Sequence, residues 1–393
     1  MRLSRLWLIV LILLTFASPI WAQDSASDTP ALLDMLALVP DSPSAREYLV
    51  SYVNYRAVEA ARPGALQADT WADWEAARQA DDAAFDPWMA AFQGISSGPI
   101  EMLQLLFVAD NWPQVIGFDF FEIDQALEYG QPPSMVQVLQ GDFNAEAIVS
   151  AYEAREFSVE ARGDLTLLCG GDGCDNGMAL NMDRLDQTNP FGGRFGRQEP
   201  LLIAPGHLVD SADIAQVDQH IALLEGEAAS LADDAQFQAA ARVAAREGLL
   251  IQVQFANAAL LGIEGDNGAS IPAYDLLVLA DAATESEQVV SVGLVYASAA
   301  DAQAAAEALP ARIESYQSIV RDQPFLDILA ERNAAYTVEV FEDETSGAAV
   351  AVVVLRGPLA GAEAVDGRLP SSSQIFRLLV QMLYQRDLGW MVP

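Results

Sequence analysis

The chain has 393 residues, of which 52% are hydrophobic, and it carries 56 acidic against 20 basic residues. The net charge of −36 argues against nucleic acid and anionic membrane surfaces as partners, because both would be repelled. The hydrophobic content is high enough for a folded core and excludes a disordered acidic tail.

Residues 1–22 have the layout of a secretory signal peptide. Two arginines lie within Met1–Arg5, an apolar run extends from Leu6 to Phe16, and Ala22 is a small residue at a plausible cleavage position. The apolar core is shorter than the roughly 20 residues that cross a bilayer as a helix, which favours cleavage over an uncleaved anchor. We therefore predict a secreted, periplasmic or extracellular protein without a transmembrane segment after signal cleavage.

A disordered, Ser/Asp-rich leader is predicted at residues 23–30, and a first module at 31–248. Its first predicted elements are a helix at Ala31–Leu38, a strand at Glu47–Asn54, helices capped by Thr70 and Asp86, a strand at Gln114–Phe118, a helix at Glu122–Tyr129, a strand at Met135–Gln140 and a helix from Asn144 to about Arg155. The others are a hairpin of Ser158–Ala161 and Leu165–Cys169, a long loop with one short strand at Gly170–Glu199, a hairpin of Leu201–Ala204 and His207–Val209, and helices at Ala212–Glu225 and Asp233–Arg246.

A second module is predicted at residues 249–360, followed by a linker and an amphipathic helix at 361–393. Its predicted elements are strands at Leu249–Phe255, Tyr274–Ala280 and Gln288–Ala297, a helix that Ser298 and Asp301 cap and that is interrupted near Pro310, and a hairpin of Tyr336–Glu342 and Ala349–Arg356. The final helix is predicted at Ser373–Arg386.

The predicted fold class is α+β. Both modules share a plan of a strand, a capped helix and an antiparallel hairpin. We therefore expect two similar modules, each an antiparallel sheet with helices packed on one face.

Cys169 and Cys174 are the two cysteines of the chain. In an oxidising compartment a disulfide between them is the expected state. A zinc site is the alternative, but zinc needs four ligands and the two histidines lack the spacing of a zinc-binding pair.

The run from Ile116 to Gly130, with Pro132-Pro133 and Val138–Phe143 after it, resembles a family of uncharacterised exported bacterial proteins. The segment Ser230–Asp234 before a helix also fits this family. The resemblance implies no activity and no functional residue.

Gly94-Ile-Ser96-Ser-Gly98 matches the G-x-S-x-G pattern of serine hydrolases. That pattern requires a strand before the serine and a helix after it, whereas a helix is predicted before Ser96. His207 and His220 lie further along the chain, and each is interpreted as structural. The predicted helix argues against a catalytic role for Ser96. A hydrolase that uses Ser96 is kept as an alternative.

Asp172, Asp175, Asp183 and Asp186 lie in or just after the Gly-rich turn that follows Cys169. Carboxylates around a turn glycine are typical of calcium loops, but the spacing departs from that of an EF-hand. A polar turn and a calcium site both stay open, and no other cofactor is expected.

Two further groups could contact a ligand. Trp71 and Trp74 could stack on one if exposed, although their helical spacing favours the core. Arg194 and Arg197 could bind a carboxylate or phosphate, or pair with the protein's own acids.

The sequence thus predicts an exported, soluble, acidic protein that binds a small molecule or another protein without catalysis. The alternatives are a hydrolase using Ser96 and a calcium-stabilised surface protein.

Overall fold

The computed structural model describes residues 29–62, 64–171, 173–258, 270–359 and 372–393. The predicted signal peptide, residues 23–28 of the predicted leader and residues 361–371 of the predicted linker lie outside the described residues. Thr29 and Pro30, which were assigned to the leader, belong to the first helix.

Helices and strands are interspersed along the described chain. The helices are α1 (Thr29–Leu36), α2 (Pro43–Arg46), α3 (Tyr55–Ala60), α4 (Trp71–Gln79), α5 (Phe85–Phe92), α6 (Ile100–Gln104), α7 (Trp112–Val115), α8 (Ala145–Glu153), α9 (Ile214–Leu224), α10 (Ala235–Ala244), α11 (Ala299–Ser315), α12 (Phe325–Ala330) and α13 (Gln374–Tyr384). The strands are β1 (Val50–Asn54), β2 (Ile123–Tyr129), β3 (Val136–Gly141), β4 (Ser158–Arg162), β5 (Leu165–Cys169), β6 (Leu201–Ala204), β7 (His207–Ser211), β8 (Leu249–Asn257), β9 (Leu276–Ala283), β10 (Glu287–Tyr296), β11 (Gln317–Ser318), β12 (Gln323–Pro324), β13 (Ala335–Glu342) and β14 (Ala349–Pro358).

Twelve strands form one antiparallel sheet in the order β13-β14-β10-β9-β8-β1-β2-β3-β7-β6-β5-β4. The α+β class is therefore confirmed. β1 pairs with β2 on one side and with β8 on the other, so strands from both predicted modules belong to the same sheet. The division into two similar modules stays a prediction.

Both faces of the sheet are covered by helices. On face 1, helices α1, α9 and α10 pack against side chains such as Val253 and Val352. On face 2, helices α3–α8 cover one half of the sheet and α11–α13 cover the other, against side chains such as Val53 and Val353. Because successive residues of a strand point to opposite faces, the near-continuous apolar runs of β9 and β14 are buried on both. The prediction that helices pack on one face of each sheet is therefore wrong, because helices cover both faces of the single sheet.

Two predicted elements around Gly117 are wrong. The segment Glu122–Tyr129 is predicted as a helix but forms β2 from Ile123 onward, because pairing with β1 and β3 overrides the helix propensity of its Gln, Ala and Glu residues. Gln114–Phe118 is predicted as a strand, but α7 ends at Val115 and the chain turns at Gly117. Gly117 has φ +84°, and a Cβ there would lie 2.4 Å from the Cα of Ile148, so only glycine fits this approach to α8.

Three smaller features also differ from the expectation. The described part of Gly170–Glu199 contains three 3₁₀ turns and no strand. α5 begins at Phe85 and lacks a side-chain cap, so Asp86 lies inside its first turn. α11 continues through Pro310, because Leu309 and Ile313 are buried on face 2 and their packing offsets the lost backbone hydrogen bond.

The predicted caps and hairpins are confirmed elsewhere. The side chains of Thr70, Asn144 and Ser298 accept backbone hydrogen bonds at the starts of α4, α8 and α11. The final helix lies at Gln374–Tyr384 with its apolar face buried. Across the described ranges, every helix is too short or too polar to cross a membrane.

Candidate functional site

The G-x-S-x-G segment lies between two helices, α5 and α6, above face 2 of the sheet. Gln252 of β8 accepts a hydrogen bond from the backbone N–H of Ser96 (2.8 Å) and donates one to Gly94 O (3.2 Å). Gln254 donates to Ser96 O at 3.1 Å. The strand–turn–helix geometry of a hydrolase nucleophile is therefore absent at Ser96.

The two histidines lie on the other face of the sheet. His207 Nε2 and His220 Nε2 are 3.2 Å apart, and His207 shares its face with Val209 of the face 1 core. β7 is four strand spacings from β8, about 19 Å. Burial lowers the pKa of both rings, that of His220 to about 3, so they form a neutral buried pair. They cannot act as a base for Ser96.

A row of polar side chains crosses face 2 at the centre of the sheet. Five adjacent strands each contribute one residue to this row, and the strand pairing places each residue opposite the next. In order across the sheet the residues are Gln254, Ser51, Glu128, Gln137 and Asp210. All except Glu128 are buried. The row marks one border of the apolar core formed by the next residues along the same strands, such as Val53 and Leu139.

The middle of this polar row forms the floor of a cavity of about 430 Å³, which we call the Glu128 cavity. Ser51 and Glu128 lie on the floor. The walls are formed by the segment before β1, by the β2–β3 turn and by the end of α13, with the lining residues Tyr48, Leu49, Gly130, Pro132, Met135, Leu383, Tyr384 and Arg386. The lining is thus largely apolar and aromatic, with one carboxyl group at its base.

The environment of Glu128 keeps its carboxyl group protonated at neutral pH. Burial, and then the charge of Glu101, raises the pKa of Glu128 to about 8. A protonated carboxyl can donate a hydrogen bond, so Glu128 adds a donor at the base of the cavity to those of Ser51, Tyr48, Tyr384 and Arg386 around it.

The end of the row at β7 holds a second buried acidic group. Burial raises the pKa of Asp210 well above its usual range, and the charge of Glu199 adds to this shift. The two carboxyl groups are in hydrogen-bonding contact, which requires that one of them carries a proton.

Arg197 Nη1 lies 3.4 Å from Glu199 Oε1, and Arg194 Nε lies 3.0 Å from Glu101 Oε1. Arg194 and Arg197 therefore pair with the protein's own acids.

A third buried carboxyl, Asp281 of β9, ties face 2 to the last helix. It accepts hydrogen bonds from Gln252 Nε2 (3.0 Å), Gln288 Nε2 (2.9 Å) and Ser373 Oγ. Burial raises its pKa to about 6, against the effect of these donors. Because Gln252 also holds Ser96, this network joins the α5–α6 turn to the start of α13.

Trp71 and Trp74 stack on each other with ring centroids 4.3 Å apart. Trp74 is buried in the face 2 core, whereas Trp71 is half-buried and lines a wide, open hollow of about 1100 Å³ together with Phe107. Trp71 thus keeps an accessible edge, and Trp74 is a core residue.

Cys169 and Cys174 form a disulfide, as predicted. Among the described residues, the one group of three potential metal ligands is Glu160, Cys169 and Cys174, and its two sulfur atoms are bonded to each other. Asp172 lies outside the described residues. Asp175 and Asp183 each lie in a 3₁₀ turn of the loop, and calcium binding there stays a prediction.

Sequence reasoning missed Glu128, Gln137 and Asp210 as parts of one site. Glu128 was assigned to a helix, which concealed its register with its neighbours. A local signal was present in β7, where Asp210 follows His207-Leu-Val in a strand that is buried along its whole length. A carboxyl group in such a strand requires a partner or a proton.

No family model and no curated protein matches the chain. Among solved structures, crystal form I of TP0453 matches with a TM-score of 0.34 and 8% identity, covering 88% of this chain and 96% of that one. Crystal form III of TP0453 gives a TM-score of 0.33 and 7% identity, over 88% and 97% of the two chains. Likenesses this weak assign neither function nor site residues.

Proposed function

We propose that this protein is a non-catalytic binding protein, and that its ligand is a small, uncharged, largely apolar molecule held in the Glu128 cavity. The observation that carries the proposal is a cavity of about 430 Å³ with a mostly apolar lining and a carboxyl of raised pKa at its base. Ligand sites are commonly concave and apolar, with a few polar groups that fix orientation.

The chemistry of Glu128 supports an uncharged ligand that carries a hydrogen-bond acceptor. With a pKa of about 8, the carboxyl is mostly protonated at neutral pH and donates to a carbonyl or ether oxygen. The charge of the nearby Glu101 disfavours an anion beside Glu128, although Arg386 also lines the cavity. Tyr48 and Tyr384 add aromatic surface at the wall of the cavity.

Binding of the neutral naphthyl ketone Prodan tests this site. We expect saturable binding with a blue-shifted emission at pH 6.5, and affinity about tenfold weaker at pH 9, because ionisation of Glu128 removes the donor. Glu128→Gln keeps an N–H donor that does not titrate, so its affinity is expected to be the same at both pH values. Fluorescence titration with a circular-dichroism check of folding at each pH measures both effects.

A pair of tryptophan variants locates the probe. Leu49→Trp fills the cavity and is expected to abolish Prodan binding, whereas Val159→Trp, at an exposed position on the edge strand β4, is expected to leave it unchanged. Binding that persists in folded Leu49→Trp, or that shows no dependence on pH in the wild type, would contradict the proposal.

We also propose that the protein works outside the cytoplasm, on the basis of the signal-peptide layout of residues 1–22. The disulfide between Cys169 and Cys174 is consistent with an oxidising compartment. N-terminal sequencing of the protein from its producing cells is expected to start near Gln23. A chain that retains Met1 in the cytoplasmic fraction would contradict export.

A further inference from the structure

A second hollow, of about 530 Å³, lies on face 2 beside the start of α13. It is lined by Ser96, Arg321, Arg332, Gln374, Arg377, Leu378, Val380 and Gln381. Three separate segments supply the arginines: Arg321 lies in the β11–β12 turn, Arg332 follows α12, and Arg377 is in α13. Three of the 20 arginines of a chain with 56 acids therefore surround one hollow.

Arg332 contacts a backbone carbonyl more closely than it contacts an acid. Arg332 Nη1 donates to the backbone carbonyl of Ile328 at 2.7 Å, and its contact with Glu331 is a long one of 3.7 Å. Burial, and then the charge of Arg321, lowers the pKa of Arg332. The charge of Arg321 therefore acts on Arg332, and an anion bound to both groups would relieve this repulsion.

The polar groups around the arginines are also suited to an anion. Gln374 and Gln381 carry amide N–H donors, and Ser96 carries a hydroxyl donor. Guanidinium groups match the oxygen pairs of carboxylates and phosphates, to which they donate two parallel hydrogen bonds. The Ser96 segment is held in place by Gln252 and Gln254, so the hydroxyl is carried on a fixed turn.

We propose that this hollow is a binding site for a small oxyanion, a free phosphate or carboxylate compound, with Arg321 and Arg332 as its main ligating residues and Ser96 as an added donor. The site is separate from the Glu128 cavity and does not depend on it. A small anion fits the hollow, whereas anionic polymers and membranes would meet the repulsion of the surrounding surface.

Thermal unfolding tests the site with inorganic phosphate and succinate as probes and sodium chloride at matched ionic strength as the reference. We expect either oxyanion to raise the melting temperature above the chloride value, with a saturating dependence on its concentration. The double variant Arg321→Gln/Arg332→Gln is expected to weaken phosphate or succinate binding at least tenfold. Ser96→Ala is expected to weaken it about threefold.

The matched control is Arg56→Gln/Arg78→Gln, which removes two exposed, ion-paired arginines elsewhere and gives the same net charge. It should keep the full oxyanion effect. If the Arg321/Arg332 double variant does not fold, single Arg321→Gln at its exposed position gives the same comparison. Equal shifts from chloride and both oxyanions, or an equal loss in the two double variants, would overturn the proposal.

Discussion

The free energy of unfolding is expected to fall as the pH rises from about 6.5 to about 8. A carboxyl whose pKa is raised on folding stabilises the protein fully below its unfolded pKa of about 4, and this contribution is lost as the pH rises towards the folded pKa. Asp210, in contact with Glu199, has a pKa well above its usual range, and that of Glu128 is about 8. Both groups therefore lose their protons on unfolding within this window.

Each proton that the folded state retains and the unfolded state releases lowers stability by about 1.4 kcal/mol per pH unit. The Asp210–Glu199 pair is thus expected to lower stability across this window for as long as the folded pair keeps its shared proton. Glu128 adds less, because it is only half-buried and solvent screens it. Urea denaturation at constant ionic strength across this range measures the slope.

Four other groups contribute little in this window. His207 and His220, with pKa values lowered by burial, reduce stability only as the pH falls below about 6.5. Asp281, with a pKa of about 6, is largely ionised before the window begins. Asp343, whose pKa is lowered, contributes only below about pH 4.

Asp210→Asn tests directly whether Asp210 and Glu199 share a proton. The amide of this variant can donate to Glu199 without taking up a proton. The change in free energy of unfolding with pH is therefore expected to become shallower, by the equivalent of about one proton. The variant should also be more stable than wild type at pH 8. Asp164→Asn, an exposed change of the same charge, is expected to leave the slope as it is. Identical slopes in wild type and Asp210→Asn would rule out a proton shared by Asp210 and Glu199.

Trp88→Ala is expected to reduce the free energy of unfolding by about 3–5 kcal/mol, towards the upper part of that range. Trp88 is fully buried and stacks on Phe92 with ring centroids 4.0 Å apart. Its Nε1–H donates to Glu59 Oε1 at 2.9 Å. Truncation leaves a cavity in the face 2 core and a buried carboxyl without its donor, and both are costly.

Trp71→Ala is the matched comparison, since Trp71 belongs to the same aromatic group but lines the open hollow. We expect its cost to stay below about 2 kcal/mol, because less surface returns to water and no hydrogen bond to Glu59 is lost. The midpoint of chemical denaturation at constant m value measures both variants. Equal costs at the two positions would show that Trp88 does not anchor this part of the core.

Local signals were sufficient for much of the fold. Polar caps such as Thr70 and Asn144 identify helix starts, because few side chains satisfy the free N–H groups of a first turn. The Pro205-Gly206 turn and the apolar strands around it likewise identify a hairpin from sequence. Strand β2 could not be recognised in this way, since its Gln, Ala and Glu residues favour a helix until two neighbouring strands pair with it.

The sequence alone therefore determined the α+β class, the disulfide, most helices and hairpins, and the acidic character of the surface. Those properties depend on composition and on residues close together in the chain. Tertiary structure alone decided the candidate sites. The row of Gln254, Ser51, Glu128, Gln137 and Asp210 exists because strand order and register bring together residues from five distant segments. Arg321, Arg332 and Arg377 likewise share a hollow only after α12 and α13 pack on the sheet, since burial and charge at a site depend on packing rather than on spacing in the chain.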